Sequence, residues 1–433
     1  MQPSQKSFSR ISSVRLPSRP TDTLWDISIE DGKIAGITEQ DDSIPTSDDS
    51  VYQADGGLLA PSLCHAHIHL DKCFLLQDPA FGDLQIKEGS FQEAMELTTA
   101  AKTRFTSEDL LRRGRRLIEE SIGYGVTSMR AFVELDGDVM SRCLEAAIKL
   151  KDEYASLCDI QICAFAQNPI ISGDGAETVQ RLMTEAAANP EVDVVGSTPY
   201  VEDDENLEKH LYWIIDLALR NKKRLDFHLD YFVNEKRQPS IWRVIELLRQ
   251  QKWPLDSQVL LGHCTRLVLF PDEEWQKLHN AIGDLPITFV GLPTSDLFMM
   301  RTDSHIRGTL DIPKMIKKHN LDGILAVNNV GNAFTPQGNC DPLSIASLGV
   351  ALFHAGTKDN CELLYHCVST RAKSAIGFIN APYTDRELAV GQPADFLLFE
   401  YDGGRTRKTI TEAVLDGGTH RRTFKNGTLI YLE

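Results

Sequence analysis

From Pro61 onward, short apolar runs alternate with long amphipathic stretches, and this repetition limits the fold more tightly than any other feature of the chain. The runs Leu63–Leu70, Thr127–Val133, Asp159–Phe165, Val192–Gly196, Leu225–Leu229, Val259–Gly262, Ile287–Gly291 and Gly323–Val327 read as strands. Between them, Ser107–Ile122, Asp138–Glu153, Gly175–Ala188, Glu205–Asn221, Pro239–Gln251, Asp272–Ala281 and Ile312–Lys318 carry apolar residues at helical spacing. Repeated βα units of this kind predict an α/β fold, a closed (β/α)8 TIM barrel rather than an open doubly wound sheet.

Both flanks of the repeat read differently. Leu24–Ile29 and Lys33–Thr38 alternate around the turn signal Asp31-Gly32, and Ser13–Leu16 reads as an earlier strand. The β pattern returns at Asp395–Glu400, Glu412–Val414 and Arg422–Tyr431, the last with a turn at Asn426-Gly427. Strands on both sides of a barrel pair most simply into one small β-sandwich formed by the N- and C-terminal segments. The expected division is 1–60 and 386–433 for that module and 61–385 for the barrel, with the polar stretch Glu39–Ser50 as a linker.

Composition narrows the functional classes. A formal charge of -17 provides no overall positive field to attract a polyanion, so neither a nucleic-acid polymer nor an anionic membrane is an expected partner, and a small neutral or cationic molecule fits better. The nine cysteines stand singly, without a CxxC pair, as expected of reduced, buried thiols in the cytoplasm. No apolar run approaches the roughly 20 residues that span a bilayer. The first twenty residues are rich in Ser and Arg and lack acids, in the manner of a transit peptide, but Ser13–Leu16 already belongs to the β pattern.

Chemistry enters at Cys64-His65-Ala66-His67-Ile68-His69-Leu70-Asp71-Lys72. On a regular strand alternate side chains share a face, so His65, His67, His69 and Asp71 are expected on one side. Imidazoles at period two, where an apolar strand ends, can reach one divalent ion, and zinc, iron and manganese all accept such ligands.

The segment His67-Ile68-His69-Leu70-Asp71-Lys72 resembles the amidohydrolase superfamily, in its cytosine deaminase and N-isopropylammelide amidohydrolase branch. Gly125–Arg130, Asp159–Gln167, Asp193–Pro199, Arg224–Asp230 and Gly391–Asp395 match that branch in order and spacing, so the similarity covers nearly the whole chain. The resemblance implies metal ligands at His67, His69 and His228, with His65 deeper as a packing residue, and one bound divalent ion. It also implies a transition-state contact from His263 in Leu261-Gly262-His263-Cys264-Thr265, and a substrate-reading amide at Gln167, whose donor and acceptor suit a planar amide-like ring. Lys72 and Asn329 complete the expected substrate contacts. Family barrels assemble, so the resemblance leaves room for a homo-oligomer.

Four positions depart from the pattern. Where the branch carries a metal-binding carboxylate after the eighth strand, this chain has Asn328, which can coordinate a cation through its amide oxygen but cannot take a proton near pH 7. Where deaminases carry a proton-shuttling Glu after the fifth strand, it has Tyr231, and Phe132 and Glu134 replace a His and an Asp on the second. Plain cytosine deamination is therefore not expected. Asp71, Asp230, Glu134 and Glu235 are candidates to compensate, and Asp230, Tyr231 and His263 form the expected catalytic set. The expected activity is metal-dependent hydrolysis of a non-peptide C–N bond in a small cyclic amide or amidine. The alternative is a catalytically impaired or repurposed barrel with a binding or non-hydrolytic role.

Overall fold

The computed structural model describes residues 4–40, 48–302, 306–379, 388–400 and 407–431. Eight parallel strands occupy one sheet in chain order: Leu63–His69, Val126–Glu134, Asp159–Ala166, Val192–Ser197, Arg224–Leu229, Val259–His263, Ile287–Gly291 and Gly323–Leu325, here numbered strands 1 to 8. The sheet closes on itself through a parallel bridge between Ile68 and Asn328. There the His69 amide donates to the Asn328 carbonyl at 2.9 Å, and the Asn328 amide donates to the His67 carbonyl at 3.1 Å. The eighth ladder ends at Leu325, short of the expected Val327, and returns as this single bridge. Asn328 has φ 69°, a left-handed conformation that Asn tolerates better than most residues and that turns the chain at the barrel rim.

Strands 1 to 8 are almost wholly buried, as a sheet covered by helices outside and filled by side chains inside must be. Below the strand ends the interior holds an ion pair: Arg130 Nη1 lies 2.8 Å from Asp226 Oδ2, with both side chains 0% exposed. Arg130 Nε also donates to Gln161 Oε1 at 3.2 Å. Burial pushes the Asp226 carboxyl up to about 7, against the opposing pull of Arg130.

Most helices begin and end within two residues of their expected positions. The second of the expected helices is shorter, Arg142–Glu153 rather than a start at Asp138, because Asp136 Oδ1 accepts the amides of Asp138 and Val139 in a preceding turn and Met140 adopts φ 53°. The helix Phe91–Lys102 has no counterpart among the sequence expectations. Ser90 accepts the Glu93 amide at its N-terminus, and the Glu93 carboxylate accepts the amides of Lys87, Glu88 and Gly89.

The terminal segments form the expected two-sheet module. One sheet runs Ser4–Ser7, Thr428–Tyr431, Arg421–Lys425, Phe396–Phe399, Leu58–Pro61, and the other runs Lys33–Glu39, Trp25–Glu30, Arg10–Val14, Val51–Gln53. Ile11, Ile27, Leu59, Phe396, Leu398 and Phe424 fill the space between them. Arg10–Val14 takes the place expected for Ser13–Leu16. The expected strand Glu412–Val414 is instead the helix Ile410–Leu415: Thr409 Oγ1 accepts the Glu412 amide at 3.2 Å and Glu412 Oε2 accepts the Lys408 amide at 2.5 Å, a Thr-x-x-Glu pattern that starts helices. The boundary placed at 385/386, and 41–47 of the polar stretch, lie outside the described residues. All nine cysteines are buried and none forms a disulfide. Among the described residues no helix is long and apolar enough to cross a membrane.

Replacing Arg130 by Leu removes the guanidinium facing a fully buried carboxylate. Such a change is expected to destabilise the fold by about 3 kcal/mol or more, seen as a lowered calorimetric midpoint at pH 7.5; an unchanged midpoint would show that Asp226 does not need its partner.

Candidate metal centre

Strand 1 does not keep a constant phase. Its register against strand 2 shifts between His65 and Ile68, and the extra residue of such a bulge exchanges the faces on which following side chains appear. The expectation that His65 shares a face with His67 and His69 is corrected accordingly. His65 points out of the barrel, with Nε2 3.1 Å from both Ser121 Oγ, on the helix Ser107–Gly123, and the Cys340 carbonyl. Past the bulge, His67 and His69 turn inward, and Ile68 joins the outer core.

His228, from strand 5, meets them there. Its Nε2 is 3.2 Å from His67 Nε2 and 3.0 Å from His69 Nε2. The three residues are 0%, 1% and 3% exposed, and they form a cluster of possible ligand atoms within 4.8 Å of one another. Burial holds all three imidazoles well below their ordinary pKa, so each is neutral, the form that binds metal. Phe132 stacks on His67 with ring centroids 4.0 Å apart, and Phe165 lies 4.4 Å from His228. These apolar walls offer the three converging nitrogens no anion.

The donor set fits a divalent cation. Zinc–imidazole bonds of 2.0–2.1 Å in tetrahedral geometry place neighbouring nitrogens about 3.3 Å apart, close to the separations found here. Asn328 adds a second indication: Nδ2 donates to Ser295 Oγ at 2.8 Å, while the buried Oδ1 has no hydrogen-bond partner. A buried acceptor without a donor is costly, and a cation beside it relieves that cost. On the far side of His67, Nδ1 lies 3.9 Å from Asp226 Oδ1.

The remaining expected residues divide between this centre and the framework. His263, at the end of strand 6, has its ring centroid 5.0 Å from that of His228. Tyr231 stacks on the His263 ring at 3.7 Å and donates its hydroxyl to the Ser295 carbonyl at 3.3 Å, and burial drives its pKa well above the ordinary phenol value. Gln167 is buried at the end of strand 3 beside the Tyr200 hydroxyl, with its carbonyl accepting from Thr198 Oγ1 at 2.8 Å. Asn329 is buried, and its Oδ1 accepts from Asn332 Nδ2 at 2.8 Å.

Lys72 sits in a buried charge network rather than standing free: its Nζ is 2.6 Å from Glu134 Oε1, while Lys102 Nζ lies 2.8 Å from Glu134 Oε2 and 2.5 Å from Asp136 Oδ2. Burial alone would raise the Glu134 carboxyl, but Lys102 and Lys72 bring it well below the usual range, so it is no proton acceptor. Asp71 Oδ2 accepts the Glu134 amide at 2.7 Å. Glu235 is exposed. Asp230, expected among the catalytic residues, points elsewhere: Oδ1 accepts the Ser240 amide at 2.7 Å and Oδ2 the Ile241 amide at 3.2 Å, where the helix Ile241–Gln250 begins. Unpaired amides at a helix start attract a carboxylate, and Asp230 meets that demand.

One residue that the sequence reading passed over belongs here. Asp296 lies in the short helix Pro293–Met299 after strand 7, and its Oδ1 is 2.7 Å from His263 Nδ1. The available signal was an acid five residues past a strand's C-terminal end, the rim where barrel active sites form.

No family model matches the chain. N-isopropylammelide isopropyl amidohydrolase from Pseudomonas sp. (strain ADP) is 22% identical over 410 residues, 94% of each chain. Among solved structures, 5-methylcytosine deaminase from Klebsiella pneumoniae, liganded with 5-fluorocytosine, superposes with a TM-score of 0.83 at 24% identity, over 98% of this chain and 97% of its own. An atrazine chlorohydrolase from Arthrobacter aurescens TC1, complexed with zinc, superposes with a TM-score of 0.66 at 16% identity, over 98% and 94%. At these identities the likeness establishes the fold.

If Asp230 serves the helix and not the chemistry, Asp230→Ala lowers stability by about 0.5–2 kcal/mol, the usual loss of a helix-start acceptor, and leaves metal content at the wild-type level. A variant that melts like the wild type but has lost turnover would return Asp230 to the reaction.

Proposed function

We propose that this chain, a barrel of the deaminase-like branch of the amidohydrolase superfamily, is a metal-dependent hydrolase of non-peptide C–N bonds acting on a small cyclic amide or amidine. The observation that carries this reading is the convergence of three neutral imidazoles, from strands 1 and 5, on one buried point at the C-terminal rim. His67, His69 and His228 would hold one divalent ion, with the Asn328 amide oxygen beside it. When bound, the ion supplies Lewis acidity that lowers the pKa of water and polarises the bond to be cleaved. Zinc, iron and manganese all suit the ligands, and the zinc of the chlorohydrolase relative favours the first.

The chain's own groups would do the rest. Gln167 offers an amide donor and acceptor to the edge of a planar ring, as the resemblance to pyrimidine deaminases suggests. Phe91, Tyr200, Tyr231 and Phe334 make edge contacts with ring centroids 5.7–6.3 Å apart, a largely apolar cover over the rim that excludes water from the reacting bond. Lys72 and Asn329 border the same space, Lys72 with its Nζ 5.1 Å from the centre of the Phe334 ring. The Pseudomonas relative is by name an amidohydrolase of N-isopropylammelide, and the 5-methylcytosine deaminase is liganded with 5-fluorocytosine, so pyrimidines and triazines are the first substrates to try. Buried thiols that form no disulfide fit a reducing cytoplasm.

Elemental analysis of protein purified without added metal, followed by an ammonia- and amine-release screen over pyrimidines, triazines and cyclic amides, tests the proposal. Close to one metal per chain and measurable release are expected, with both lost in His67→Ala or His228→Ala. Metal-free protein, silent across the whole panel, would contradict the proposal and favour a binding role.

A further inference from the structure

Hydrolysis needs a group that accepts a proton from water, and the groups at positions 328, 134, 230 and 231 are unsuited or committed elsewhere. Asn328 is an amide. Glu134 is held as an anion between two lysines, Asp230 caps a helix, and the Tyr231 hydroxyl donates to a backbone carbonyl.

His263 differs from these. Its Nδ1 lies 2.7 Å from Asp296 Oδ1, and the two residues are 2% and 0% exposed. Asp296 Oδ2 in turn accepts the Thr309 hydroxyl at 2.8 Å and the Leu292 amide at 3.3 Å. With Oδ2 already accepting two donors, Asp296 suits an acceptor's role at Oδ1 as well, which favours the tautomer with the shared proton on His263 Nδ1. A neutral imidazole protonated at Nδ1 carries its lone pair on Nε2, at the ring edge away from Asp296. Among the described residues Nε2 has no hydrogen-bond partner, and the ring it belongs to is 5.0 Å from that of His228. Tyr231 covers one face of the ring at 3.7 Å and so holds its tilt.

Resting on the hydrolase reading above, we propose that His263 accepts the proton of the attacking water and that Asp296 is its positioning residue, the pair replacing the carboxylate missing at position 328. As the water oxygen forms its bond to the scissile carbon, one O–H proton passes to Nε2. The imidazolium then gives that proton to the leaving nitrogen, which keeps the electron pair of the breaking C–N bond, so one water is consumed and a neutral amine or ammonia departs. Nδ1–H stays on Asp296 throughout. The same short helix sets Asn328, through Ser295 Oγ, and His263, through Asp296, so the two positions are built from adjacent residues.

The test is 15N NMR of histidine-labelled, zinc-loaded protein, a measurement that needs no substrate, combined with kinetics on whichever pyrimidine or triazine of the panel is turned over fastest. Wild-type His263 is expected as the Nδ1–H tautomer, and Asp296→Asn is expected to move the proton toward Nε2. The same substitution should lower kcat by about 10²–10⁴-fold with KM nearly unchanged and zinc retained. If Asp296→Asn does not fold, the wild-type tautomer and the kcat of His263→Gln decide: a wild-type Nε2–H resonance, or undiminished turnover without the imidazole, overturns the proposal. Asp296→Asn with the wild-type tautomer and kcat overturns it too and leaves the hydrolase reading intact. A metal-free, inactive wild type counts against that reading, and the tautomer still reports on the dyad.

Discussion

Three imidazole nitrogens held 3.0 and 3.2 Å apart in an apolar enclosure set the terms for the rest of the barrel rim. Neutral rings offer at most one N–H each, and His228 Nε2 cannot satisfy two facing nitrogens at once, so the arrangement suits a cation better than mutual hydrogen bonding. The backbone reaches it by two local irregularities. A bulge in strand 1 turns His67 and His69 inward, and the left-handed Asn328 closes the barrel against that strand, bringing an unpaired amide oxygen to the same place.

Around this centre the charged groups are largely paired before any substrate arrives. Arg130 and Asp226 neutralise each other in the floor, and Lys72, Glu134, Lys102 and Asp136 do so beside strands 1 and 2. Outside these pairs stands a histidine oriented by a carboxylate and a stacked phenol. The replacements at positions 328 and 231, which on their own suggest a weakened enzyme, thus belong to a rearranged set of contacts: Tyr231 braces His263, and Asn328 is tied to the residue preceding Asp296.

The sequence was most legible where one strong physical signal dominates. Apolar runs such as Val259–Gly262 have nowhere to go but a covered sheet, and helix patterns such as Ser107–Ile122 survived nearly to the residue. His67 and His69 stood out as candidate ligands because imidazoles at period two end an apolar strand, and the structure brings His228 to them. Less visible were features set by single backbone irregularities. Nothing in Cys64–His69 announces the bulge that separates His65 from its neighbours, and the short apolar stretch Glu412–Val414 looks like a strand until Thr409 and Glu412 are seen to cap a helix. Asp296 was hidden because its meaning depends on His263, 33 residues away in the chain. Asp230, an acid two residues past His228, looked catalytic, but the helix amides that claim it come from ten and eleven residues further on.

A crystal structure of zinc-loaded protein, with diffraction recorded on both sides of the zinc absorption edge, bears most directly on the central claim. The account predicts one anomalous peak bonded to Nε2 of His67, His69 and His228 at about 2.0–2.1 Å. A peak elsewhere, or none at full zinc loading, would contradict it.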